Sequence, residues 1–404
     1  MSNNYNDLIP VLSEHVEYNR LTESEFILSN TVHRHYLKIN KDVHNLLSQI
    51  DGKKSLVELS QSFFENFGQK ISVESIYKLL YENLSTYGIL KGFDEKIKAY
   101  QKPSYLKLSF IIFPDKMVNK LTSELHFLFK RRNVFIILFI TTTIVLSLLF
   151  FNFKLFESFN LQDSLIYFII VMALSVTFHE IGHATAASYF GAKHGGIGGG
   201  FYLFTPVYYA DVTDIWRLTK RQRIIVNLAG MYFELIFCSF IALIAFLLGN
   251  SILLLISITV CFHTLFNLNP FLRSDGYWVL SDLTNKPNLL FHSANKVKDI
   301  FRFLLFKKSI SWNAKDIFLL AYGSVSFIFI GFFLYYVLID NPSSLLDFPK
   351  NAYIFVLSLL SNDSEFSLAK YGELIIPIIF FTLVVKLSIT FIRRRFKNHI
   401  KAET

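Results

Sequence analysis

Cysteine is almost missing: Cys238 and Cys261 are the only two in 404 residues, and both lie inside apolar runs. That excludes a disulfide framework and disfavours a thiolate zinc site. Charge is scarce as well. Asp, Glu, Lys and Arg make up 18% of the chain against 52% hydrophobic residues, a balance unlike that of an ordinary soluble protein of this length. The first residues, MSNNYNDLIPVL, lack the basic start and short apolar core of a signal peptide, so the N-terminus is expected to stay in the compartment where it is made. The net charge of +9 could suit nucleic acid. In so apolar a chain it fits basic loops facing the cytoplasm better.

What is abundant is apolar length. Six segments, near 134–151, 164–190, 224–248, 252–271, 316–339 and 371–391, can each cross about 30 Å of hydrocarbon. A further stretch, 352–361, is too short to cross and is expected to pack against the outer surface. Basic residues cluster before the first span (Lys130, Arg131, Arg132), between the second and third, between the fourth and fifth, and after the last (Arg393, Arg394, Arg395, Lys397). This places both termini on the cytoplasmic side of the cell membrane. The expected fold is a mainly α, polytopic membrane protein of about six transmembrane helices, preceded by a winged-helix-like α+β domain. The expected divisions are 1–100 for that domain, 101–133 for an interfacial linker, 134–391 for the membrane-embedded domain and 392–404 for a basic cytoplasmic tail.

Within the first hundred residues, 25–30 and 33–40 suit two short strands. Ser55 and Glu58 form a capping box that opens a helix running toward Phe67. Ser72 caps a second helix, with Val73, Ile76, Leu80, Leu84 and Tyr87 on one face and Gly88 as its stop. A DNA reader would need a basic recognition helix, and this one carries only Lys78, so no nucleic-acid partner is expected. In 114–129, Met117, Leu121, Leu125 and Leu128 make an apolar stripe, either on the membrane interface or in the soluble domain.

The second span contains His179-Glu180-Ile181-Gly182-His183. Residues four apart share a helix face, so both imidazoles can address one ion. Glu180 stands beside them as a general base. Two neutral imidazoles and a carboxylate suit one Zn2+ per chain, with a fourth position left for water. Ionisable groups inside an apolar span are costly, which favours a functional reading over chance. For the third ligand, Glu234 on the next span is one candidate. Asp275 is the better one, because Pro270 breaks the fourth span and Gly276 frees the backbone to turn.

His179–His183 with Asn267-x-x-Pro270 and Asp275-Gly276 resembles the site-2 protease (M50) family, over roughly 105–300. Ala229-Gly230 resembles a further motif of that family. The resemblance implies metal ligands at His179, His183 and Asp275, a catalytic Glu180, and an M50-type metalloprotease domain over 134–391. Leu272, Tyr277 and Glu234 depart from its usual proline, glycine and asparagine. The N-terminal piece resembles the PqqD-like peptide-recognition fold through His35-Tyr-Leu-Lys-Ile-Asn40, Leu46-Leu47, Asp51-Gly52 and the helix before Gly88-Ile89-Leu90. That likeness implies capture of an extended leader peptide at a sheet edge.

The glycine-rich run Gly195-Gly-Ile-Gly198-Gly199-Gly200 cannot form a good helix. It reads either as a membrane-dipping hairpin that receives substrate at Gly198, Gly199 and Gly200 or as a flexible loop. Asn267 is a second candidate for holding substrate. His194 and His263 read as loop or core histidines, and Asp211 and Asp214 as members of a solvated loop. Lys386 can snorkel to the cytoplasmic face, and the basic tail reads as a topology anchor in contact with the bilayer. The motif residues point to peptide-bond hydrolysis by a zinc metalloendopeptidase, and the two resemblances together imply one that matures a leader-bearing precursor peptide, as in bacteriocin-like pathways. The alternatives are cleavage of a membrane-anchored regulator, and a non-catalytic sensor or transporter accessory.

Overall fold

The computed structural model describes residues 5–93, 97–98, 107–151, 161–202, 205–286, 288–306, 313–360, 374, 376–385 and 387–389. They form two compact units, one of residues 1–142, 176–200 and 208–236, the other of 143–175, 201–207 and 237–404.

The first unit opens with an antiparallel sheet of β1 (Val16–Arg20), β2 (Glu25–Asn30) and β3 (His35–Asn40), with β2 in the middle. Tyr18 pairs with Leu28 and Leu28 with Leu37. Two of these strands match the expected ones. β1, VEYNR, was not expected, because Val16 and Tyr18 alternate with a polar residue only once, too short a run to read as a strand. Helix α1 (Lys41–Leu47) follows from the N-cap of Asn40. Helix α2 (Leu56–Phe67) starts at the expected capping box and ends at Gly68 in the left-handed conformation. Leu28, Leu47, Leu56, Phe63, Ile76 and Leu80 meet in one buried core.

The helix expected over 72–87 is less regular. It begins as α3 (Val73–Tyr77), widens into a π-helical stretch (Lys78–Leu84) and tightens to 3-10 at Ser85–Tyr87 before Gly88 at φ 71°. Widening turns both Leu80 and Leu84 into the core, while Ser85 Oγ donates to Tyr81 O at 2.5 Å near the end.

The elements around the histidine motif belong only in part to this unit. Strand β4 (Lys107–Phe113) leads to α4 (Asp115–Leu125), and α5 (Arg131–Phe151) and α6 (Leu161–Tyr189) follow. Strands β5 (Ile197–Tyr202) and β6 (Thr205–Ala210) join β4 in a second sheet with β5 central. Helix α7 (Lys220–Leu248) closes the arrangement. Val118 of α4, Phe129, Ile181 and Ala184 of α6, and Val226 and Phe233 of α7 share a core. The inward face of α4 is therefore that of Val118 and Thr122, one position round from the expected stripe, and Met117 is left exposed.

Among the described residues, four helical stretches are long and apolar enough to cross a membrane: Arg131–Phe150, Ile166–Tyr189, Lys220–Leu248 and Ala314–Asp340. In the second unit the expected fourth span appears as α8 (Ser251–Asn267), only 17 residues long. A break at Pro270 separates it from α9 (Asp275–Thr284). Helices α10 (Leu289–Phe306) and α11 (Ala314–Tyr335) follow, and Tyr277, Leu289, Leu319 and Tyr322 form a core there. Helix α12 (Ser343–Leu346) comes next, and the short stretch expected on the outer surface, 352–361, lies in α13 (Phe348–Leu360) as far as Leu360. Cys238 and Cys261, on α7 and α8, are buried free thiols with their Sγ atoms 2.6 Å apart. Lys386 and Arg393–Lys397 lie outside the described residues.

Candidate metal centre

The motif on α6 works as a site because α7 comes unusually close to it. A Cβ built on Gly182 would lie nearer than 3.0 Å to the carbonyl oxygen of Ala229. The missing side chain at Gly182 lets the two backbones meet, as at other helix contacts inside membranes. His179 and His183 therefore project into a dry seam, 6% and 7% exposed.

Each ring is held from behind. His183 Nδ1 is 2.7 Å from the backbone oxygen of Val226. A carbonyl only accepts, so Nδ1 carries the hydrogen and Nε2 offers a lone pair. His179 Nδ1 stands 3.2 Å from Glu234 Oε2, again an acceptor. Both Nε2 lone pairs then face one another at 3.1 Å. Two acceptors at that distance repel unless a cation or a shared proton stands between them. Two nitrogens bound to one tetrahedral zinc sit about 3.3 Å apart, given ordinary Zn–N lengths. The donor set, its tautomers and its spacing all fit zinc.

Gly230 of α7 faces the same point. A Cβ there would lie 2.5 Å from His183 Nε2 and closer still to His179 Nε2. Any side chain at 230 would occupy the space that the two nitrogens address. Ala229-Gly230 was visible in the sequence only as a motif, and its steric reason is this approach. Glu234, the alternative ligand, lies behind His179, on the Nδ1 side of the ring.

Glu180 is half-buried, and its Oε2 accepts the backbone N–H of Ala210 at 2.5 Å. Ala210 is the last residue of β6, which borders the second sheet. The carboxylate is thus presented beside an edge strand. Gly198 and Gly199 serve packing between strands: a Cβ on Gly198 would strike Phe110 O, and one on Gly199 the Phe110 ring. Being in the central strand, their backbones face neighbours on both sides.

Asp275 belongs to the second unit, where it is the first residue of α9 behind the N-cap Ser274. Its Oδ2 is turned away from solvent. Gly276 allows that turn to fold tightly, since a Cβ there would run into the backbone of Leu268. Asn267, half-buried, ends α8 in the same unit.

His194 is a structural histidine as expected, with Nε2 3.1 Å from Thr122 Oγ1 and Nδ1 2.9 Å from Gly195 O. The solvated-loop expectation for Asp211 and Asp214 is corrected. Asp214 is 3% exposed and accepts from Tyr36 Oη, Lys193 N and Arg217 Nε. Asp211 pairs with Arg34 at 2.8 Å. The N-terminal sheet covers this segment, a long-range contact that local polarity does not reveal.

No family model and no solved structure matches the chain. Among curated proteins it is similar to the "Putative peptide zinc metalloprotease protein YydH" of Bacillus subtilis (strain 168), at 29% identity over 115 residues. The match spans 28% of this chain and 45% of that protein.

Proposed function

We propose that this chain is a membrane-embedded zinc endopeptidase of the site-2 protease type that matures a leader-bearing precursor peptide. The observation that carries the reading is the buried pair of histidine Nε2 atoms, 3.1 Å apart, over the bare Cα of Gly230. Similarity to a protein named as a peptide zinc metalloprotease supports it. His179, His183 and Asp275 are the proposed ligands of a single zinc, and the helix break before Gly276 suits the third. When bound, zinc would polarise the scissile carbonyl and acidify the attacking water.

The remaining chemistry is that of the chain itself. Glu180 takes the proton of the water and delivers it to the leaving amine. Its link to Ala210 N holds the carboxylate in place beside β6. An extended substrate added to the β6 edge would run past Glu180, in the manner of peptides bound by strand addition. Gly198 and Gly199 contribute by drawing β5 and β4 together, and Gly200 and Asn267 are further proposed contacts for the substrate. The PqqD-like N-terminal domain would hold the leader, and its grip on residues 211–217 favours this reading over cleavage of a membrane-anchored regulator. Both termini are placed on the cytoplasmic side by the basic loops.

The test is zinc content of the purified, detergent-solubilised protein, wild type beside His183→Ala and Asp275→Ala. One zinc per wild-type chain, reduced in both variants, is the expected result. Zinc indifferent to both changes would sink the proposal.

A further inference from the structure

Glu234 is the most deeply buried charged residue described in the first unit. It sits mid-way along α7 with its side chain 0% exposed, in a helix apolar enough to cross a membrane. A carboxylate in such a place is expensive unless a partner repays the loss of water. Its placement has a direction. Glu234 lies one helical turn beyond Gly230, so the same face of α7 presents first the bare Cα that the two Nε2 atoms approach and then the carboxylate behind His179. The two imidazoles are supported unequally: His183 by a neutral carbonyl at 2.7 Å, His179 by a carboxylate at 3.2 Å.

We infer that Glu234 is a positioning residue of the metal centre, setting the tautomer and orientation of His179 and supplying a second negative charge to a dication. This rests on the zinc reading above. As an acceptor at Nδ1 it keeps the hydrogen there and the lone pair at Nε2, where the ion is addressed. Its charge also makes the imidazole a stronger donor to the ion, the usual effect of a carboxylate behind a ligating histidine. Charge bookkeeping agrees. Zinc brings two positive charges into a low-dielectric seam; the proposed ligand Asp275 cancels one and Glu234 the other, with both imidazoles neutral. Without Glu234 the centre would hold an uncompensated charge among apolar helices.

Zinc affinity reads this directly. The full-length protein in detergent would be titrated against a chromophoric chelator, as wild type, Glu234→Gln and Glu234→Leu. Gln keeps the size and an acceptor oxygen but removes the charge; Leu removes both. Affinity about 10-fold weaker in Gln and about 100-fold weaker in Leu is expected, the range found when such a partner is lost. Gln preserves the packing volume, so its result does not depend on whether the Leu variant folds. Visible absorption of the cobalt-substituted proteins adds a readout of ligand geometry, and an altered band in the variants is expected. Affinity equal to wild type in either variant would overturn the inference. A wild type that binds no zinc would overturn the metal reading itself, and the inference with it.

Discussion

The hydroxyl of Tyr36 donates to Asp214 Oδ1 at 2.7 Å, fastening β3 of the N-terminal sheet to the segment that leaves β6. Two further links act on the same segment: Arg34 with Asp211 at 2.8 Å, and Glu17 with Arg217 at 3.4 Å. Asp211 directly follows Ala210, whose N–H holds Glu180. The N-terminal sheet therefore grips the chain one residue from the contact that holds the proposed base. Removing two of these links, in the double variant Tyr36→Phe with Arg34→Ala, should loosen the N-terminal sheet. Each is worth on the order of 1 kcal/mol. Limited trypsin digestion of the detergent-solubilised protein is the check, and release of an N-terminal fragment several-fold faster than from wild type is expected. Unchanged digestion would mean that these two links do not hold the sheet in place.

The Arg34–Asp211 pair should also leave a mark on acid stability. Burial alone would raise the carboxyl of Asp211, but hydrogen bonds from Arg34 and Thr213 outweigh it and hold the group below its ordinary value. A lowered folded-state pKa contributes stability that is complete above the unfolded value, about 3.9, and is lost as pH falls through the folded one. Wild type and Arg34→Ala should thus differ by about 1 kcal/mol at neutral pH and converge toward pH 3. Thermal unfolding at a series of pH values decides this. A difference that persists unchanged in acid would assign the effect to packing of the arginine stem.

Gly230→Ala should abolish zinc binding while sparing the fold. Its Cβ would stand 2.5 Å from His183 Nε2, in the space both nitrogens address. Alanine also favours a helix over glycine by about 1 kcal/mol, so helix propensity runs the other way. A fall of at least 100-fold in zinc affinity with unchanged far-ultraviolet circular dichroism is expected. Zinc bound as tightly as in wild type would place the ion elsewhere. Gly182→Ala is the contrasting variant: it would push against Ala229 O and should lower stability first.

What could be read in advance divides along physical lines. Short-range chemistry was legible: the Ser55–Glu58 capping box, the stop at Gly88, the break at Pro270 and the HExxH spacing all act within a few residues. Contacts made at long range were not. β1 has only Val16 and Tyr18 as apolar positions and is recruited by pairing with β2, and β4 was hidden in a stretch assigned to a linker. Asp214 looked like a solvated loop residue because nothing local announces Tyr36, 178 positions away. The backbone groups at the site, Val226 O and Ala210 N, have no side-chain signature at all. Apolar length also overstated one span: α8 stops at Asn267, with 17 helical residues, because the polar stretch that follows leaves the helix before Pro270.

The proposed division of labour on α6 makes its sharpest statement at Glu180. Both histidines act through Nε2 lone pairs, whereas Glu180 has its Oε2 on Ala210 N. Holding the ion and moving the proton should therefore separate in one variant. In Glu180→Gln the amide oxygen can still accept the Ala210 N–H, so the strand end and the helix stay in place. The amide cannot take a proton from water, and general-base catalysis of this kind is worth about 10²–10⁴-fold in rate. Glu180→Gln is expected to carry the same zinc per chain as wild type and to lose cleavage of a leader-bearing precursor peptide by at least 100-fold. His183→Ala should lose both together. Cleavage surviving in Glu180→Gln would remove Glu180 from the chemistry and pass the proton to another group. Loss of zinc in that variant would instead make the carboxylate part of what holds the ion.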